Sequence, residues 1–172
     1  MKSKSASVLI SLAITLSASS LFAAEVVNQT SPSLAGSWQF TLKAISPTAT
    51  ALVPIDALAT FTTDGSVVET DSSEAVPTLT AAGNTIYGTP AHGIWQPAPA
   101  VGYLFIRFTS LLVNDNGTLH ARKIVTMSGA LDSTGDNFKG NYGFELIDRF
   151  GKVLASGSGT MKGQRIVHPL LP

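Results

Sequence analysis

Residues 102–162 read, in succession, GYLFIRFTSLLV, NDNG, TLHARKIVTMSGAL, DSTGD, NFKGNYGFELI, DRFG and KVLASGSGTMK. Long segments rich in β-branched and aromatic residues alternate with short ones of Asp, Asn, Ser and Gly. Residues 102–113 form one strand, followed by the turn Asn114-Asp115-Asn116-Gly117. Residues 118–131 form the next, followed by Asp132-Ser133-Thr134-Gly135-Asp136. Residues 138–147 lead into Asp148-Arg149-Phe150-Gly151, and residues 153–162 close the series. Such turns mark hairpins. Gly and Asn tolerate positive φ, and Asp and Asn side chains bond the turning backbone. Consecutive hairpins make an antiparallel meander, which closes into a barrel or folds into a sandwich.

Upstream the pattern continues. Residues 57–63 and 66–70 form a hairpin about Asp64-Gly65, and the first strand is 37–45. A short strand, 93–96, surrounds Trp95 and ends at Pro97-Ala98-Pro99. The loop 46–54 is punctuated by proline. The stretch 71–91 is the longest irregular segment, and loops of that length often serve as lids or binding loops. The total is eight strands without a helix. The expected fold is all-β, an eight-stranded antiparallel meander barrel.

Residues 1–24 read as a secretory signal. Lys2 and Lys4 give a positive start, residues 8–16 an apolar core too short to span a bilayer, and Leu21-Phe22-Ala23-Ala24 a small-residue cleavage site. Cleavage after Ala23 or Ala24 is expected, then a polar leader over 25–33 and a single barrel domain over 34–172. The mature protein is expected in a periplasm or outside the cell, with no integral membrane segment left. There is no cysteine, so neither a lipid anchor at Cys nor a disulfide is available. Cutting after Ala24 leaves 148 residues, enough for one core. Losing Lys2 and Lys4 leaves nine basic residues against eleven acidic ones, a net charge near −2. That balance argues against a nucleic-acid partner.

Hairpin register sorts the side chains. Pairing Val113 with Thr118, Leu131 with Asn137 and Ile147 with Val153 gathers Tyr103, Phe105, Arg107, Arg122, Ile124, Thr126, Tyr142 and Phe144 on one face. Leu104, Ile106, Phe108, Val125, Met127, Gly143, Glu145, Gly157, Gly159 and Met161 fall on the other. A one-residue slip exchanges the two sets. The first face mixes aromatics, hydroxyls and two arginines, which suits a lumen holding a small amphipathic ligand. Tyr103, Phe105, Arg107, Arg122, Tyr142 and Phe144 are therefore the expected ligand-binding residues, with His92 and the 71–91 loop at the mouth. The two guanidinium groups would hold a carboxylate. Both faces of the strand 103–113 are apolar, so its outer side is expected to be covered by 25–33, by 166–172, by the long loop, or by a second copy in a homo-oligomer.

Gly36-Ser37-Trp38, at the start of the first strand, resembles the Gly-x-Trp signature of lipocalins and other calycins. The resemblance implies that the Trp closes one end of a barrel and that an Arg after the last strand packs across its ring, a place taken here by Arg165. The Thr-Asp-Tyr-type motif of lipocalins is not visible. His92-Gly93-x-Trp95 with the hairpins about Phe138-x-Gly140 is similar to small exported bacterial proteins and implies no activity. Allene oxide cyclases and dirigent proteins are also eight-stranded barrels, which associate through their outer faces and steer reactions in an apolar lumen. The doubly apolar strand is compatible with them.

Catalytic signatures are few. His92, His120 and His168 have no His or Cys at ligand spacing, so no metal is expected. No cofactor loop and no Gly-x-Ser-x-Gly elbow is present. Glu69 and Glu145 each sit between apolar residues on a strand, where pointing inward would raise the pKa and make an acid or base. Three readings follow. The first is a carrier of a small apolar or amphipathic molecule. The second is a cyclase or isomerase working by confinement, with Glu69 or Glu145 moving a proton. The third is an interaction module that oligomerises through its outer strand and is packed solid inside.

Overall fold

Most barrel strands alternate buried, largely apolar residues with exposed ones, the pattern of a sheet with one face on a core. In a computed structural model that describes residues 33–45, 54–80, 83–99 and 102–167, ten strands form one antiparallel sheet. They are β1 (Gly36–Ala44), β2 (Ile55–Phe61), β3 (Ser66–Asp71), β4 (Thr78–Leu79), β5 (Thr85–Gly88), β6 (Ala91–Pro97), β7 (Tyr103–Asn114), β8 (Leu119–Leu131), β9 (Asn137–Asp148) and β10 (Val153–Arg165). Among the described residues there is no helix. The signal segment 1–24, residues 25–32 of the leader and His168 lie outside the described residues.

Eight strands close into a barrel. The chain runs β1-β2-β3-β6-β7-β8-β9-β10, each paired with the next, and β10 returns to β1 with Trp38 opposite Arg165. The meander expected from the turns is therefore the observed fold, and closure removes the sheet edges. The 71–91 stretch is less irregular than expected. It folds into the β4–β5 hairpin, and β5 extends the line of β6 along β7, pairing Gly88 with Leu112 and Ile86 with Asn114.

The lumen is lined by the opposite face of β7 and β8 from the one expected. Leu104, Ile106, Phe108, Val125 and Met127 are buried, whereas Tyr103, Phe105, Arg107 and Arg122 are exposed on the outside. Tyr142 and Phe144 do point inward, because β9 slips by one residue. Leu131 pairs with Phe138 rather than Asn137. Asn137, the first residue of β9, pairs with Gln164 of β10 and is tied to the preceding turn by Asp132, whose Oδ1 accepts the N–H groups of Gly135, Asp136 and Asn137. A bulge between Val153 and Ala155 then reverses the slip, so Gly157, Gly159 and Met161 face inward as their spacing suggests. The Gly157-Ser158-Gly159 run has a packing cause. A Cβ at Gly157 would come within 2.6 Å of the Phe144 ring, and one at Gly159 within 2.5 Å of the Tyr142 ring. These two rings occupy the space that side chains at Gly157 and Gly159 would need.

One end of the barrel is plugged by aromatics. Trp38 and Phe40 stack at 6.0 Å, Phe40 meets Phe138 and Phe61 edge-on at 6.0 and 6.1 Å, and Phe61 meets Trp95 at 6.5 Å. Trp38 Nε1 donates to Leu34 O at 2.7 Å, and Trp95 Nε1 to Thr62 O at 2.9 Å. The Arg165 guanidinium lies 4.5 Å over the Trp38 ring, donates to the carbonyls of Ser33, Ala35 and Gly135, and pairs with Asp136 at 3.3 Å. This is the arrangement implied by the calycin resemblance.

The same end explains why the first residue of Gly36-Ser37-Trp38 is glycine. Its φ is +121°, and a Cβ there would stand 2.9 Å from Arg165 Nη1. Gly36→Ala is therefore expected to lower stability by about 1–3 kcal/mol, the usual cost of a side chain in such backbone. Urea unfolding followed by tryptophan fluorescence measures it. An unchanged midpoint would mean that the guanidinium does not hold its place over Trp38.

Candidate functional site

The opposite end of the barrel is a mouth. A cavity of about 230 Å³ opens there. One wall is apolar, formed by Leu42, Ile55, Phe108, Val125, Tyr142 and Phe144, and Leu112 stands at the rim. The other wall carries Glu69, Asp71, Ser73, Glu74 and Lys123.

Strand alternation brings the charges together. Val67, Glu69 and Asp71 are successive inward positions of β3, where Glu69 pairs with Ala59 and Ala91 and Asp71 with Ala57. These alanines leave the space that the longer carboxylates fill. Lys123 is an inward position of β8, between Ala121 and Val125. Its ammonium reaches across the lumen to Asp71 Oδ2 at 2.8 Å and Glu74 Oε1 at 3.0 Å. Glu74 is carried by the turn that ends β3. Its N–H donates to Asp71 O, and its Oε2 accepts the Asp71 N–H at 3.4 Å. Its stem tucks against Gly88, where a Cβ would lie 2.7 Å from Glu74 Cγ. Ser73 donates through both its N–H and its hydroxyl to Asp71 Oδ1.

The three carboxylates differ electrostatically. Glu69 is 3% exposed, and its Oε2 has no hydrogen-bond partner among the described residues. Burial, helped by the Asp71 charge and only partly offset by Lys123, pushes its pKa up to about 8. Burial also acts on Asp71, but the hydrogen bonds from Lys123 and Ser73 and the Lys123 charge outweigh it. The Asp71 carboxyl is held below the usual range. Lys123 is the mirror case. Its burial is overcome by the Asp71 hydrogen bond and the charges of Asp71 and Glu74, so its pKa is raised. Tyr142 is shifted up by burial. Oxygens of Glu69, Asp71 and Glu74 lie within 4.8 Å of one another, and these are the residues that could approach a metal ion. Lys123 already provides a cation for two of them.

The expected ligand residues divide between the two faces. Tyr142 and Phe144 line the mouth cavity. Tyr103, Phe105, Arg107, Arg122 and His92 are on the outer surface, so among the described residues no arginine lines the mouth cavity to hold a carboxylate. Arg107 does join Thr126, Ile124, Glu145, Ser156 and Ser158 around an open outer depression of about 560 Å³ with glycine in its floor. Of the two glutamates, Glu69 is buried in the lumen and Glu145 is exposed outside.

Sequence reasoning placed the 71–91 stretch at the mouth without singling out Asp71 or Glu74 within it, and it missed Lys123. A lysine at an inward step of the series Ala121, Lys123, Val125, Met127 was the available signal. It was legible once the interior face of β8 was chosen correctly.

Comparison with known protein families, with curated proteins and with solved structures finds no match. The barrel, the Trp38–Arg165 closure and the charged mouth therefore stand on their own chemistry.

Proposed function

We infer that the chain is an exported, single-domain β-barrel that binds one small amphipathic molecule in the mouth of its lumen. The observation that carries this reading is the cavity itself. It has an apolar wall facing a charged one, at the single end of the barrel that aromatics do not plug. Ligand sites combine an apolar lining with a few convergent polar groups that fix orientation. Tyr142 and Phe144 serve as apolar floor and Leu112 as rim. A volume of about 230 Å³ falls below the roughly 300 Å³ at which drug-sized sites begin, which selects a small guest.

A second reading has one observation in its favour. A carboxyl that burial raises to about 8 at the edge of a cavity is an acid or base poised for proton transfer at neutral pH, as a barrel enzyme working by confinement requires. The interaction-module reading, by contrast, calls for a lumen filled solid with side chains, and it finds no support in the open mouth.

Native mass spectrometry of the mature protein isolated from the periplasm tests the binding reading. A co-purified mass is expected in the wild type and in Arg107→Ala, and is expected to be lost in Leu112→Trp, which fills the rim. Loss in Arg107→Ala with retention in Leu112→Trp would move the site to the outer depression. A bound molecule that changes mass on incubation would favour the enzyme.

A further inference from the structure

Resting on the lumen-mouth reading, we propose that the guest is a small organic ammonium ion: an amine on a short apolar body, whose N–H groups bond Glu69 and the carboxylates beside it.

The charge arrangement selects the sign. Three carboxyl groups, Glu69, Asp71 and Glu74, face the cavity against one ammonium, Lys123. Lys123 spends its charge on Asp71 at 2.8 Å and Glu74 at 3.0 Å. Glu69 Oε2 is left buried and unpaired among the described residues, and once the carboxyl gives up its proton it can only accept hydrogen bonds. A donor with positive charge is the guest that satisfies it, because charge-assisted hydrogen bonds are the strong ones. An anionic guest would meet Asp71 and Glu74 at close range.

The opposite wall selects an organic cation over a metal ion. Phe108, Val125 and Phe144 offer hydrocarbon, and Tyr142 adds a ring. Calcium takes six to eight oxygen ligands. Here the three carboxylates share their space with Lys123 Nζ. An apolar body against the rings and an ammonium against Glu69 use both walls at once.

Binding is coupled to one proton. In the empty mouth near neutral pH Glu69 carries a proton, because burial and the Asp71 charge hold it there. When R–NH3+ enters, the Glu69 carboxyl gives that proton to solvent and its carboxylate accepts from the ammonium. The charged and titratable groups facing it are Asp71 on β3, Glu74 on the following turn, Lys123 on β8 and Tyr142 on β9.

Isothermal titration at pH 7, in two buffers of different ionisation enthalpy, tests the assignment. The probes are benzylammonium, benzyl alcohol, benzoate and calcium chloride. Benzylammonium is expected to bind with release of close to one proton, benzyl alcohol roughly tenfold more weakly, and benzoate not at all. Glu69→Gln keeps the shape of the protonated carboxyl. It is expected to weaken benzylammonium roughly ten- to a hundredfold, to abolish proton release, and to leave benzyl alcohol unchanged. Leu112→Trp is expected to weaken both. Equal binding of the alcohol and the ammonium, or an unaffected Glu69→Gln, overturns the amine assignment. The mouth as a binding site survives that result if Leu112→Trp still blocks the alcohol. Calcium binding that Glu69→Gln removes, with no amine binding, replaces the assignment by a metal. Binding of no probe overturns both the amine and the mouth.

Discussion

Trp38→Ala is expected to remove about 3–5 kcal/mol of stability, the loss usual for truncating a fully buried large aromatic. Trp38 is completely buried, and three different interactions end on its ring. Its Nε1 satisfies the Leu34 carbonyl, its ring stacks with Phe40, and the Arg165 guanidinium lies 4.5 Å over it. Without the ring, the cation loses its platform while its bonds to the 33–35 segment and to Gly135 lose their anchor. A domain of this size has roughly 5–15 kcal/mol in all, so the variant would stand close to unfolding. Trp38→Phe supplies a milder measurement. It keeps a ring beneath Arg165 and leaves Leu34 O unpaired, for an expected loss of about 1–3 kcal/mol. Urea midpoints of the three proteins should fall in that order. A Trp38→Ala loss below about 1.5 kcal/mol would show that the plug is not where the fold is held.

The topology was legible because turn chemistry is local. Asp64-Gly65, Asn116-Gly117 and the Asp- and Gly-bearing turns at 132–136 and 148–151 placed the hairpins, and consecutive hairpins leave few topologies but a meander. The Trp38–Arg165 contact was legible by resemblance, although the residues are far apart in sequence. Facing was not legible, for two reasons. On β7 both Leu104-Ile106-Phe108 and Tyr103-Phe105 are apolar, so alternation gives no sign of which set is inside. On β9 the decision turns on one residue, Asn137, which the Asp132 carboxylate ties to the turn, so that Leu131 pairs with Phe138. Loop length is a property of that hydrogen-bond network rather than of composition.

The site failed to show itself for a related reason. Its charged members come from β3, the turn after it, and β8, strands that are not neighbours in the sheet. Their contact exists only because the barrel closes. Glu69 could be suspected from its apolar flanks, but its partner could not be named. The hydroxyls and arginines that drew attention to the other face are solvent-facing, as polar residues on an antiparallel sheet usually are.

The pH dependence of stability should report Glu69 directly. Its carboxyl has a usual value of 4.5 and is raised to about 8 in the folded protein. Between these values the folded state holds a proton that the unfolded state has released, so stability falls as pH rises. The full stability is present below about pH 4.5, and the loss is complete once pH passes about 8. At about 1.4 kcal/mol per unit of pKa, the decline amounts to roughly 3–5 kcal/mol. Asp71 and Lys123 act outside this window. The lowered Asp71 contributes stability that is present above 3.8 and lost in more acid solution. The raised Lys123 contributes stability that is present below 10.5 and lost in more alkaline solution. Glu69→Gln cannot ionise and should flatten the profile between pH 5 and 8. It should match the wild type near pH 5 and exceed it at pH 8 by that same few kcal/mol. Urea midpoints at half-unit steps of pH measure both curves. A wild-type midpoint constant from pH 5 to 8 would mean that Glu69 is ionised and paired at neutral pH, and the proton coupling assigned to the mouth would fall with it.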